Sequence, residues 1–129
     1  MYKRQLLHRL AADRRPAPQN GARLLVLAPT RELVSQIAAG FESFGRHLPL
    51  RVTTIFGGVG QGRQVDALRA GVDVVVAAPG RLLDLIGQGL CDLSRLEALV
   101  LDEADQMLDM GFAKPVSYTH LTLPTKRIV

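Results

Sequence analysis

Two acids follow directly on an apolar run in Leu99-Val-Leu-Asp-Glu-Ala-Asp105. A strand ending this way delivers Asp102 and Glu103 to the carboxyl edge of a sheet, where open α/β sheets bind their ligands. A carboxylate there can hold Mg²⁺ through water, because Mg²⁺ takes few carboxylates and keeps much of its hydration. An adjacent glutamate can orient or deprotonate an attacking water. Acids at a helix start also favour the helix dipole with no ligand at all, so the pair alone leaves both readings open. The full string through Ala104 and Asp105 favours the chemical one.

Three further strings sit where a strand gives way to a helix. In Ala28-Pro-Thr-Arg-Glu-Leu-Val-Ser-Gln36, Pro29 and Thr30 open a helix whose first N–H groups suit phosphate oxygens, and Arg31 adds a charge. The alternative is an ordinary helix start with Arg31 in solvent. Gly57-Gly-Val-Gly-Gln-Gly-Arg63 has two glycines at the spacing of a phosphate loop, G-x-x-x-x-G-K-[ST]. Arg63 and Gln64 replace the lysine and the hydroxyl, so this is not an ATP loop. Its glycines instead allow a nucleic-acid strand close to the backbone, or simply a flexible turn. In Ala78-Pro-Gly-Arg81, Pro79 suits a first helical position and Arg81 could reach a phosphate or lie in solvent.

The elements that carry these strings alternate. Leu6–Ala12 reads as a helix with Leu6, Leu7 and Leu10 on one face, and residues 14–22 as a loop punctuated by Pro16, Pro18 and Gly21. Strands are expected over Leu24–Ala28, Val52–Phe56, Val72–Ala78 and Leu96–Leu101. Between them fall helices over Arg31–Leu48, Arg63–Ala70 and Arg81–Gln88, with a last one over Glu103–Met110. Leu33, Ile37, Phe41, Phe44 and Leu48 make one stripe of the Arg31 helix, which Pro49 ends. Such alternation implies right-handed crossovers and a parallel α/β sheet. Near-continuous apolar strands agree, since parallel strands are covered on both faces.

Composition narrows the class. The 129 residues, 47% apolar and 22% charged, suit one soluble globular unit and not a disordered chain. No apolar run approaches the ~20 residues of a membrane span. A single cysteine, Cys91, permits no internal disulfide, so the simplest compartment is the reducing cytoplasm. The three histidines have no metal-ligand spacing. The formal charge of +4 is not an argument for nucleic acid, because residues 6–114 hold twelve acids and twelve basic residues. The excess lies in Lys3, Arg4, Lys126 and Arg127.

In their order and spacing the four strings resemble the DEAD-box family of ATP-dependent RNA helicases. Pro29–Leu33 and Ala78–Arg81 look like its RNA-contact motifs, Gly57-Gly58 like its glycine doublet, and Asp102–Asp105 like its name-giving sequence. Met110-Gly-Phe112 matches the usual continuation. The resemblance implies a partial RecA-like lobe of the P-loop NTPase type: a parallel sheet with helices on both faces, here lacking the phosphate-loop strand. Family members bind ATP between two such lobes and lay RNA across both. By the same resemblance, Asp102 would hold Mg²⁺ through water, and Glu103 would position the hydrolytic water beside ATP. Asp105 would couple that site to a following Ser-Ala-Thr motif. Pro29, Thr30, Arg31, Gly57, Gly58, Pro79, Gly80 and Arg81 would contact the RNA backbone, with little sequence specificity.

The departures are as informative. No lysine of the chain is followed by Ser or Thr, and no Ser-Ala-Thr string is present. Ala78 stands where the family usually has Thr. The chain therefore reads as an incomplete first lobe over 6–114 that does not hydrolyse ATP by itself. The rival reading is a non-catalytic RNA-binding module derived from such a lobe. Residues 1–5 and 115–129 hold both tyrosines and the whole charge excess. They resemble translated adapter sequence and are set apart as a non-native leader and tail; the alternative is a solvated basic terminus.

Overall fold

The computed structural model describes residues 2–12, 16–48 and 50–101. The acidic string from Asp102 onward, the helix expected over Glu103–Met110 and the C-terminal tail lie outside them. Four apolar runs form β1 (Leu24–Leu27), β2 (Val52–Ile55), β3 (Val74–Ala77) and β4 (Ala98–Leu101). Four helices accompany them: α1 (Tyr2–Ala12), α2 (Arg31–Phe44), α3 (Gly62–Ala70) and α4 (Pro79–Gly87). The strands pair in parallel in the order β2-β3-β1-β4. Central β1 and β3 are buried at every position, which is why they read LLVL and VVVA rather than alternating.

Side chains leave the sheet alternately. Leu25, Leu27, Val75, Ala77, Leu99 and Leu101 pack with Val65, Leu68, Leu82 and Leu85 of α3 and α4. Leu24, Val26, Val74, Val76 and Val100 pack with Leu6, Leu7 and Leu10 of α1 and with Val34, Ile37 and Phe41 of α2. Helices thus cover both faces. The direction of chain travel accounts for the division. From β1 the chain moves toward the β2 edge, then turns back through β3 to β4. With one hand of crossover, reversing direction moves the connecting helix to the other face.

Several expected boundaries shift: α1 begins at Tyr2, α4 at Pro79 and β4 at Ala98, and two further shifts have a visible cause. Helix α2 ends at Phe44 rather than Leu48, because Gly45 caps it with an N–H donated to the Phe41 carbonyl at 2.8 Å. Its buried face is Val34, Ile37, Ala38 and Phe41, not the stripe through Leu33 and Phe44. Phe44 is exposed, with the Arg4 guanidinium 5.2 Å from its ring centroid. The third strand begins at Val74 rather than Val72, since Asp73 has another task.

That task is to receive a buried charge. Arg23, directly before β1, is 2% exposed. Its guanidinium lies 2.6 Å from Glu97 and 3.5 Å from Asp73, and it donates to the Leu10 carbonyl at 3.1 Å. Burial opposes the charge, but the hydrogen bonds and charges of Glu97 and Asp73 outweigh it and hold the guanidinium above its ordinary range. The backbone repeats the connection: Asp73 O accepts from Arg23 and Leu24 N–H, and Arg23 O accepts from Glu97 N–H at 2.7 Å. Replacing Arg23 by Ala strands two carboxylates at the sheet's amino edge. The expected cost is about 3–5 kcal/mol in urea unfolding.

Cys91 closes the other face, packed with Leu93 and Leu96. Burial, with the neighbouring Asp92 charge, pushes its thiol from 9.0 up to about 12. The unfolded chain therefore releases this proton first. Stability from this group is complete below pH 9.0 and declines as pH rises toward about 12. Urea unfolding across that range should show the decline, and the Cys91→Ala variant should lack this component of it.

Candidate nucleic-acid interface

The strand register sets Leu27, Ala77, Ile55 and Leu101 in one row, so the loops after β1, β2 and β3 start at one level. After β1, Pro29 is buried and Thr30 is extended at φ −128°, ψ 154°. Thr30 Oγ1 accepts the Leu33 N–H at 3.1 Å, an N-cap that starts α2 sharply. Arg31, the first helical residue, is thereby left exposed at the carboxyl edge.

After β2 the chain runs through Phe56 into the glycine loop. The Arg31 guanidinium sits 4.8 Å from the centroid of the Phe56 ring, a cation–π contact worth about 0.5–1 kcal/mol at an exposed site. Gly58 has φ +83°, and a Cβ on it would lie 3.4 Å from Arg31 Nη1. Glycine is required here by the backbone, and the arginine lies close beside it.

After β3, Ala78 is extended at φ −88°, ψ 144° and gives α4 no side-chain cap. Pro79 is buried in the first turn and Gly80 is exposed. Arg81 turns back toward the glycine loop. Its Nη2 donates to Val59 O at 2.7 Å and its Nη1 to Gln64 Oε1 at 3.2 Å, while Gln64 Nε2 donates to Phe56 O at 3.0 Å.

Three of the four sequence strings therefore meet: Arg31 lies beside Gly58 of the glycine doublet, over the Phe56 ring that precedes it, and Arg81 holds its loop at Val59. An open cleft of about 690 Å³ lies beside them, lined by Arg31, Thr53, Thr54, Phe56 and Arg63 among others. Among the described residues, neither Arg31 nor Arg81 has a carboxylate in ion-pair range. Two unneutralised guanidiniums beside open glycine backbone suit a phosphodiester strand. The fourth string, Asp102, Glu103 and Asp105, lies beyond the described residues, one position past the carboxyl end of β4. Among the described residues no three acids, histidines or cysteines cluster as metal ligands, and no helix is long and apolar enough to cross a membrane.

The sequence reading did not single out Phe56 or Gln64. Phe56 carried a signal, an aromatic residue directly before a glycine doublet. Gln64 carried a fainter one, a polar residue at a core position of α3, buried with Val65 and Leu68.

A parallel α/β sheet that gathers cationic and glycine-rich loops at its carboxyl edge has the architecture of open α/β folds that bind ligands at that edge. The chain belongs to the DEAD/DEAH box helicase family, whose model matches residues 2–129. It is 51% identical over 96 residues to the ATP-dependent RNA helicase DBP2 of Pyricularia oryzae, covering 74% of this chain and 18% of that protein. The DBP2 of Aspergillus oryzae is 52% identical over 96 residues, 74% of this chain and 17% of the relative. In three dimensions the chain is similar to the RNA helicase Prp28 of Chaetomium thermophilum bound to ADP, with a TM-score of 0.85 and 35% identity. That likeness covers 99% of this chain and 31% of Prp28. A hypothetical ATP-dependent RNA helicase of Sulfolobus tokodaii matches with a TM-score of 0.75 at 31% identity, over 98% of this chain and 37% of its own. The fold is thus a partial RecA-like α/β lobe, and the chain spans less than a fifth of the curated relatives it matches.

Substituting Gly58 by Ala imposes a strained backbone at φ +83°. A stability loss of about 1 kcal/mol is expected in urea unfolding.

Proposed function

We propose that this chain is the RNA-gripping part of the first lobe of an ATP-dependent RNA helicase acting in the cytoplasm. The observation that carries the reading is the meeting of Arg31 and Arg81 at the glycine loop, with no carboxylate in ion-pair range among the described residues. Pro29, Thr30, Gly57, Gly58, Pro79 and Gly80 supply the helix starts and open backbone around them, and the whole group contacts the RNA backbone. A Cβ on Gly57 or Gly80 would meet nothing within 4 Å, so the fold itself has no use for glycine there. A strand lying close against the backbone does. Contacts of this kind grip phosphates and sugars and leave sequence largely unread.

Asp102 is the residue to hold Mg²⁺ through water, since carboxylate oxygens suit a hard cation. The ion would supply charge neutralisation on the phosphates of ATP. Glu103 orients the attacking water, and Asp105 couples that site to a following Ser-Ala-Thr motif of the parent protein. The chain lacks a phosphate loop, which would position the terminal phosphate, so it binds RNA without hydrolysing ATP. We also propose that residues 1–5 and 115–129 are non-native, although Tyr2–Gln5 continue α1 and Arg4 meets Phe44; sequencing the parent locus tests this.

Binding of fluorescein-labelled single-stranded RNA by the full chain, followed by anisotropy over a salt series, tests the grip. Arg31→Ala and Arg81→Ala should each flatten the plot of log affinity against log salt by about 0.7 and weaken all RNA sequences alike. Unchanged slopes in both variants would overturn the reading. Phosphate release by the chain with RNA present should not exceed that of Glu103→Gln; release above that control would overturn the inactive assignment.

A further inference from the structure

We propose that Gln64 is the positioning residue of this edge: its buried side-chain amide sets the direction of the Arg81 guanidinium and fixes the glycine loop between β2 and α3. The proposal rests on reading Arg81 as a contact to the RNA backbone. Gln64 is 7% exposed, on the first turn of α3, and both ends of its amide are engaged with opposite polarity. Nε2 donates to the Phe56 carbonyl at 3.0 Å, and Oε1 accepts from Arg81 Nη1 at 3.2 Å. A carbonyl can only accept and a guanidinium can only donate, so the two partners fix which way the amide faces.

No other side chain does both at this length. Glutamate would set a carboxylate oxygen against the Phe56 carbonyl. Methionine fills the space and makes neither bond. Asparagine is a methylene short, and lysine only donates.

The loop needs such a tie because it has almost no side chains of its own. A Cβ on Gly57, Gly60 or Gly62 would meet nothing within 4 Å. Packing therefore cannot order it. It is held at its start by Gln64 on Phe56 O and in its middle by Arg81 on Val59 O. Among the described residues, the remaining side-chain link is an exposed pair, Gln61 with Gln88 at 3.2 Å. Gln64 and Arg81 thus form one polar clamp. Two of the five N–H groups of Arg81 are spent inward on Gln64 and Val59, which leaves the others for phosphate oxygens. The residue whose carbonyl Gln64 holds, Phe56, carries the ring beneath Arg31, so the amide also links the two guanidiniums.

The test is anisotropy with a fluorescein-labelled oligouridine on the full chain, over a salt series, for Gln64→Met, Gln64→Glu, Arg81→Ala and the double variant Gln64→Met with Arg81→Ala. Gln64→Met should weaken binding roughly three- to tenfold and flatten the salt slope by about 0.7, as Arg81→Ala does. The double variant should fall short of the two single losses combined, because Gln64 acts partly through Arg81 and partly through the loop it holds at Phe56 O. Gln64→Glu should bind more weakly than Gln64→Met at pH 7, since its charge neutralises Arg81. Its deficit should persist at about pH 5, because the Arg81 charge beside it favours the ionised carboxylate. Wild-type slope and affinity in Gln64→Met would overturn the proposal while leaving the Arg81 contact standing. No effect of Arg81→Ala would instead overturn the RNA reading beneath it. Should Gln64→Met fail to fold by circular dichroism, the glutamate variant decides: wild-type affinity and salt slope at pH 7 overturn the clamp.

Discussion

The geometry of this lobe depends on one buried cation. Arg23 stands at the amino edge of the sheet, where β1, β3 and β4 begin, and binds Asp73 before β3 and Glu97 before β4. Backbone bonds from the same residues lock the three strands against one another. In a sheet covered on both faces, a slip of one residue would turn every side chain to the wrong helix layer. Apolar strands as uniform as LLVL and VVVA carry little shape to resist such a slip. A charge that finds its partners in only one register supplies the missing specificity.

That register is felt at the opposite edge. Because Leu27, Ala77 and Ile55 end in one row, the helix starts and the glycine loop that follow them begin level. Arg31 then reaches across to Phe56, and Arg81 reaches back to Val59. The fold hides its apolar side chains between strands and helices and leaves the interface to backbone and guanidinium groups. The division suits a partner that is a repeating polyanion, recognised by charge and close approach rather than by shape.

Much of the framework was legible in the chain. Leu24–Ala28 and all but Asp73 of Val72–Ala78 are apolar and read as strands, because continuous burial favours apolar residues. Thr30 and Pro79 read as helix starts because their chemistry suits those positions. Errors fell where local pattern and packing diverge. Phe44 and Leu48 continue the helical period of α2, yet Gly45 stops the helix and Phe44 turns outward beneath Arg4. Periodicity records which residues could face a core, not how far the core extends. Val72–Asp73 read as strand because one acid in an apolar run looks incidental, whereas Asp73 receives Arg23.

Sequence alone determined the order of the elements, the parallel sheet, the family resemblance and the list of residues at the strand ends, because short-range physics and motif spacing are written along the chain. It also fixed that no phosphate-loop string is present. Which of those residues meet was decided only by the tertiary structure. Arg31 and Gly58 are far apart in the chain, as are Arg81 and Val59, and no local preference relates them. Gln64 shows the limit most plainly. As a letter it marks only a missing hydroxyl in a phosphate-loop pattern, and its two partners lie on β2's end and on α4. An amide acquires a role from what faces its two ends, and those neighbours exist only once the sheet has aligned them.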